Sequence, residues 1–171
     1  TTNFSQSKKV RSTTTFNYID DVLTSSTTYR RDTQTPQSLT EYTGIEGEEK
    51  ALRTLNYASD GTTVRTTTTL DYDQYWEVLE KSTTYRGEVK LNERTTASTK
   101  STTTYIGFEG EEKASLTTNF SQSKKVRSTT TFNYIDDVLT SSTTYRRDTQ
   151  TPQSLTEYTG IEGEEKALRT L

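Results

Sequence analysis

The stretch Val64–Tyr72 reads VRTTTTLDY, and its residue pattern predicts the fold. If successive side chains point to opposite sides, Val64, Leu70 and Tyr72 share one face with two of the threonines, and the arginine, the other two threonines and the aspartate take the other face. A period of two residues is typical of a β-strand. Residues 126–134, VRSTTTFNY, repeat the pattern, and β-branched threonine runs disfavour a helix. We therefore predict an all-β protein.

The neighbouring segments extend this prediction to four strands per half-repeat. We expect strands near residues 50–58, 63–72, 78–86 and 98–106, joined by polar turns. Aromatic rings bury large apolar areas while tyrosine hydroxyls remain hydrated, so a core can form from few aliphatic residues. The predicted core and stacking residues are Tyr57, Leu70, Tyr72, Tyr85, Tyr105, Phe120, Phe132, Tyr134, Tyr145 and Tyr158.

Composition excludes several classes of function. The 171 residues carry 21 Lys and Arg against 24 Asp and Glu, without the basic excess that a nucleic-acid partner requires. Leu, Ile, Val and Phe number only 29, but 40 threonines favour β-structure with a thin core over disorder. Cys, His and Met are absent, which excludes disulfides, thiolate or imidazole metal sites and Ser-His dyads. The lack of an apolar run of about 18 residues predicts no membrane insertion.

Internal repetition is the strongest organisational signal. Residues 1–55 recur unchanged as residues 117–171, so the period is 116 residues. Each period divides into two diverged half-repeats of 63 and 53 residues. We predict a partial second-half unit at 1–44, a first-half unit at 45–107, a second-half unit at 108–160 and the start of the next unit at 161–171. Both ends fall inside a repeat, and we therefore expect a window of a longer tandem array.

Two architectures suit such a repeat. The first is an antiparallel β array of stacked four-stranded units, like a solenoid or fibre, in which each unit covers the sheet edges of its neighbour. The alternative is a set of blades closed into a β-propeller. The open array implies self-association as the partnership, either with another copy or with the continuation of the same chain.

The heptapeptide GIEGEEK at Gly44–Lys50 returns at 107–113 as GFEGEEK and at 160–166 unchanged. Its glycines supply the backbone freedom of a tight corner, and we interpret the stretch as the joint between units. The corner glycines are Gly44, Gly47, Gly107, Gly110, Gly160 and Gly163. The carboxylates of Glu46, Glu48 and Glu49 are candidate Ca²⁺ ligands, and the alternative is a solvated turn whose charge Lys50 offsets.

The segment LDYDQYWE (residues 70–77) holds the second group of candidates. Asp71 and Asp73 are spaced somewhat like calcium-loop ligands, although the glycine and terminal glutamate of such a loop are missing. Tyr75 and Trp76 form an aromatic pair in the predicted turn, either for binding a ligand such as a sugar or for capping the turn. No catalytic residue and no cofactor other than Ca²⁺ is predicted.

Two further motifs concern modification and charge. Asn3 and Asn119 each precede Phe-Ser and match the N-glycosylation acceptor pattern. Ser5–Ser12, SQSKKVRS, is the most basic stretch, but it lacks the interleaved aromatic residues of single-strand binders. We interpret it as a charged strand entry that discourages wrong pairing.

Two segments carry a resemblance to known repeats. NYIDDVLTSSTTYRRDT (Asn17–Thr33) and DYDQYWEVLEKSTTYRG (Asp71–Gly87) resemble the tyrosine–aspartate repeats of Rhs-type and teneurin-like surface proteins. The recurring Y-x-G-[IF]-E-G-E-E-K-A is similar to giant tandem-repeat bacterial surface proteins. The resemblance implies extracellular β-strand arrays that wrap, encapsulate or extend. Residues 20–23, DDVL, stand where that family has a Gly-Arg-Leu turn.

These observations predict a non-enzymatic segment of a β-filament, sheath or stalk that is secreted or at the cell surface. One alternative is an adhesin-type module whose turns bind glycan or Ca²⁺. Another is a propeller-type hydrolase, which requires two acids converging in a cleft.

Overall fold

A computed structural model describes residues 1–4, 9–31, 33–75, 77–94, 97–147 and 149–171. These residues form thirteen strands and one 3₁₀-helix at Leu91–Glu93. The strands are β1 (Thr2–Phe4), β2 (Val10–Ile19), β3 (Val22–Arg30), β4 (Pro36–Thr43), β5 (Lys50–Tyr57), β6 (Val64–Tyr72), β7 (Leu79–Arg86), β8 (Thr99–Ile106), β9 (Lys113–Phe120), β10 (Val126–Ile135), β11 (Val138–Arg146), β12 (Pro152–Thr159) and β13 (Lys166–Thr170).

The strands form one antiparallel sheet in which the order of strands follows the chain from β1 to β13. The all-β prediction is therefore confirmed. The four strands predicted near 50–58, 63–72, 78–86 and 98–106 correspond to β5 to β8 and agree within one residue at each end. Stacked units and propeller blades both stay predictions.

The chain divides into two compact units. Unit 1 comprises Thr1–Asp71 with Thr84–Ala97, and unit 2 comprises Tyr72–Thr83 with Ser98–Leu171. The predicted half-repeat boundaries follow sequence phase and stay predictions.

Threonine pairs mark the strand register inside each unit. In unit 1 the hydroxyls of Thr40 and Thr54, directly opposite residues of β4 and β5, are 3.0 Å apart. In unit 2 Thr130 and Thr144 of β10 and β11 are opposite, with their hydroxyls 2.9 Å apart. Opposed threonines each add about 0.2–1 kcal/mol to pairing. The other pairs are Thr14–Thr28, Thr68–Thr84, Thr103–Thr117 and Thr156–Thr170.

Two-residue turns join β2 to β3 and β10 to β11. Asp136 and Asp137 have φ angles of 49° and 64°, and Asp20 and Asp21 have 48° and 64°. Positive φ at both central residues is the requirement of the type I′ turn, whose twist matches that of the flanking strands. Aspartate tolerates this left-handed region better than most residues.

Unit 1 contains the buried hydrophobic side chains of the described residues. Leu55, Tyr85 and Val89 are less than a tenth exposed, and Thr67 and Thr69 on β6 are fully buried. Residues 87–94, an insertion of the longer half-repeat, lie against this face: the Val89 amide donates to the Thr67 hydroxyl at 3.0 Å, and that hydroxyl donates to the Gly87 carbonyl at 2.8 Å. The insertion therefore builds the core locally.

In the part of the chain that the structure describes, no helix has the length and apolar character to cross a membrane.

Candidate functional site

The three glycine-glutamate corners share one backbone geometry. In the first corner Gly44 and Gly47 have φ angles of +131° and +81°, and the Glu48 amide donates to the Ile45 carbonyl at 3.0 Å. A Cβ at Gly44 would lie 2.7 Å from the Glu48 carbonyl oxygen, which is closer than Cβ atoms approach other atoms in proteins. The corners at 107–112 and 160–165 repeat this amide–carbonyl contact at 2.9 and 3.0 Å. Glycine is therefore required where each corner begins.

The last glutamate of each corner accepts hydrogen bonds from the backbone. Glu49 accepts from the Leu23 amide at 2.9 Å and from the Gly47 amide at 3.1 Å. The ladder between β3 and β4 ends at Ser25 opposite Glu41, so the carboxylate supplies an acceptor just beyond that end. The Leu23 amide is the main cause that holds the pKa of Glu49 below its usual range.

The same contact occurs in the other two corners. Glu112 accepts from the amides of Leu79 and Gly110, both at 3.0 Å, and Glu165 accepts from the Leu139 amide at 3.0 Å. The Leu139 amide likewise lowers the pKa of Glu165. Each of these leucines lies at the start of a strand that precedes the corner by one strand. We call this contact the corner clasp.

The structure places the calcium candidates in different settings. Glu46 and Glu48 are exposed, whereas Glu49 belongs to the corner clasp. Asp71 forms an ion pair with Arg94, and Asp73 accepts from the Glu77 amide at 2.9 Å. Within the described ranges, no group of three or more acidic side chains is arranged to hold a metal ion. Calcium binding stays a prediction.

The aromatic and glycosylation candidates have these positions. Tyr75 is 71% exposed, and Trp76 lies outside the described residues. The Asn3 and Asn119 side-chain amides each donate to a serine on the neighbouring strand at 3.2 Å. Of the predicted core residues Tyr85 is buried, and nine are half-buried: Tyr57, Leu70, Tyr72, Tyr105, Phe120, Phe132, Tyr134, Tyr145 and Tyr158.

Tyrosine–serine pairs recur ahead of the corners. The hydroxyls of Tyr105 and Ser82 are 3.1 Å apart, and those of Tyr158 and Ser142 are 3.2 Å apart. Tyr42, which the sequence analysis did not single out, pairs with Ser26 at 3.0 Å. Tyr42 occupies the same repeat position as Tyr158, a predicted core residue, so the repeat alignment could have identified it.

Antiparallel strands in chain order place successive connections at alternate ends of the strands. In unit 2 the connections 73–78, 107–112, 136–137 and 160–165 therefore share one end, which we call the acidic end. They contain no lysine or arginine and ten acids: Asp73, Glu77, Glu109, Glu111, Glu112, Asp136, Asp137, Glu162, Glu164 and Glu165.

The opposite end of unit 2 carries the reverse charge. Its connections 121–125 and 147–151 hold Lys124, Lys125 and Arg147, and Asp148 of the same stretch of sequence lies outside the described residues. Three strand residues close to these connections or to the start of β8 are also cationic. We call this set the basic end, and all its side chains are exposed: Lys100, Lys124, Lys125, Arg127, Arg146 and Arg147. Although the formal net charge of the chain is only −3, acidic and basic side chains are thus concentrated at opposite ends of unit 2.

The acidic end also exposes apolar side chains and already holds an ammonium group. Ile106, Phe108 and Ile161 are 54%, 80% and 66% exposed. Lys113, the first residue of β9, places Nζ 2.6 Å from Glu162 Oε1 and 3.1 Å from Asp137 Oδ1. These carboxylates, chiefly Glu162, raise the pKa of Lys113. The acidic end is therefore chemically suited to cationic side chains.

The fold and these contacts define an all-β antiparallel sheet protein built from sequence repeats. The chain matches no protein-family model and no curated protein sequence.

Proposed function

We propose that this chain is a structural, non-catalytic segment of a tandem-repeat β array that forms a filament, sheath or stalk outside the cell or at its surface. The observation that carries the proposal is the corner clasp, because each clasp connects two successive predicted half-repeats. Glu49 of the predicted half-repeat at 45–107 accepts a hydrogen bond from the Leu23 amide of the predicted half-repeat at 1–44. The clasps of Glu112 and Glu165 join the next pairs of half-repeats in the same way.

A contact of this kind suits an open array. The clasp joins a corner to the strand that precedes the corner by one strand, so every added half-repeat brings its own clasp. No clasp depends on closure of a ring. Nearest-neighbour contacts that repeat along the chain are the basis of stability in repeat proteins.

Side chains also join adjacent strands. In unit 2 the Tyr134 hydroxyl donates to the Ala114 carbonyl of the preceding strand at 2.9 Å. The proposal includes self-association as the partnership.

A length series tests the array. Chains with one, two and three 116-residue periods would be measured by small-angle X-ray scattering. One period contains eight strands, β2 to β9, and strands lie about 4.8 Å apart, so side-by-side addition lengthens the particle by about 38 Å per period. The cross-section should stay constant. A maximum dimension that levels off, as in a closed ring of blades, would refute the open array.

A clasp variant adds a control to this series. Replacing the last glutamate of one internal corner by glutamine (E112Q) removes one carboxylate oxygen from the clasp and leaves the glycine corner intact. In the array this lowers the cooperativity of unfolding across that joint. E111Q, the adjacent change in the same corner, leaves the clasp intact and should unfold like the parent chain.

A further inference from the structure

We infer that copies of this chain associate end to end along the strand direction, with the acidic end of one copy against the basic end of the next. This interface uses the ends of the strands, whereas the proposed array grows at the sheet edges. It is therefore an additional mode of assembly and goes beyond the proposed function.

Charge complementarity is the first reason. Unit 2 alone presents ten acids at one end, beside the two lysines Lys113 and Lys166 at the starts of β9 and β13, and six exposed cations at the other end. Like ends repel each other, whereas opposite ends attract, and complementary potentials fix both orientation and register. A second copy of the same chain supplies the required basic surface.

Spacing is the second reason. The acidic connections 107–112, 136–137 and 160–165 follow one another at intervals of two strands, which is about 10 Å. The connections 121–125 and 147–151 of the basic end are also two strands apart, and Arg146 with Arg147 supplies the cations at the second. Two basic turns of one copy can therefore face two acidic connections of another at once, and such paired contacts strengthen each other.

The exposed apolar residues are the third reason. Phe108 and Ile161 stand among the carboxylates of the acidic end at 80% and 66% exposure. Lysine and arginine cover apolar surface with their aliphatic stems while their charged groups reach carboxylates, and arginine also stacks on aromatic rings. Lys113 shows the charge pairing within the chain, since it binds both Asp137 and Glu162.

Sedimentation velocity at a series of protein concentrations tests the inference. The chain should self-associate at low ionic strength, and the apparent Kd should rise at least about tenfold between about 0.01 M and about 1 M NaCl, where the Debye length falls from about 30 to about 3 Å. A chain that sediments as a monomer at low salt would overturn the inference. Association that ignores salt would do the same.

Matched variants locate the interface. E111Q with E164Q removes two charges from the acidic end, leaves the corner clasps intact and should weaken association at least about tenfold. E88Q with E93Q removes the same charge from the 87–98 connection, outside the acidic end, and should not weaken association. Equal effects of the two pairs would show that net charge alone matters, which contradicts the inference.

Charge reversal gives the decisive experiment. Chains with E111K and E164K, and chains with K124E and K125E, should each self-associate less than the parent. An equimolar mixture of the two should regain association, because each supplies the end that the other has lost. Circular dichroism establishes that both retain their strands. Failure of the mixture to associate refutes the end-to-end interface and leaves the length series of the proposed array unaffected.

Discussion

Two buried threonines on β6 permit a sharp test of what stabilises unit 1. Thr67 and Thr69 are both fully buried and lie two residues apart, so they point to the same side of the sheet. The Thr67 hydroxyl bonds to the backbone of Gly87 and Val89, whereas the Thr69 hydroxyl has no hydrogen-bond partner among the described residues. Replacement of each by valine keeps the branched shape and removes only the hydroxyl.

The two substitutions should have opposite effects on the free energy of unfolding. T67V leaves the Val89 amide and the Gly87 carbonyl without this partner, and an unsatisfied buried group costs about 1–3 kcal/mol, so we expect a loss of about 2–4 kcal/mol. T69V removes a buried hydroxyl that has no hydrogen-bond partner in the described part of the chain, and should add about 1 kcal/mol to the free energy of unfolding. The two variants should therefore differ by about 3–5 kcal/mol.

Urea unfolding followed by circular dichroism measures this difference. With a denaturant slope of about 2 kcal/mol/M, the midpoints of the two variants should lie about 2 M apart. Hydrogen exchange gives a local readout, because the Val89 amide should lose protection in T67V and keep it in T69V. Equal destabilisation by both substitutions would refute the assignment of the Thr67 bonds as the anchor of residues 87–94.

Three further predictions use contacts inside single units. The Leu139 amide lowers the folded-state pKa of Glu165, so the resulting stability is complete above the unfolded pKa and is lost as pH falls through the folded one. E165Q should therefore flatten the pH dependence of the free energy of unfolding in the acid range, below the unfolded pKa of the glutamate. D21G should stabilise the chain by about 0.5–1 kcal/mol in urea unfolding, because φ of Asp21 is +64° and glycine adopts this region freely. A loss of stability would contradict the type I′ assignment. E41Q should lower the free energy of unfolding by about 1 kcal/mol, because its partner Arg53 is only 13% exposed. The repeat-equivalent change E157Q should be neutral, because Arg169 is 58% exposed. Equal urea midpoints of the two variants would contradict this difference.

The strands were predictable from the sequence because their signal is local. Alternation in Val64–Tyr72 and turns rich in glycine and aspartate depend on neighbouring residues only, and the observed strands follow them closely. The buried set was not predictable in the same way. Thr67 and Thr69 look like the other 38 threonines, and they are buried because the insertion that contains Val89 returns over β6.

The role of Glu49 was also beyond a local reading. A glutamate pair beside two glycines suggested a metal site or a solvated turn, and both interpretations consider only the corner itself. The Leu23 amide is 26 residues away in sequence. It is available to the corner because the pairing between β3 and β4 ends at Ser25 opposite Glu41. Only the strand register brings donor and acceptor together, and a composition or motif does not contain that register.

The charge distribution, in contrast, was within reach of the sequence once the strands were assigned. The net charge and the absence of a block of like charges hid it, because the acids occur in groups of two or three along the chain. Strand alternation sorts these groups, since every second connection returns to the same end. In an antiparallel sheet whose strands follow chain order, charge should therefore be summed over alternate connections and not over windows of sequence. The last two glutamates of each corner therefore differ in their settings: Glu49, Glu112 and Glu165 accept hydrogen bonds from backbone amides, while Glu48, Glu111 and Glu164 are exposed.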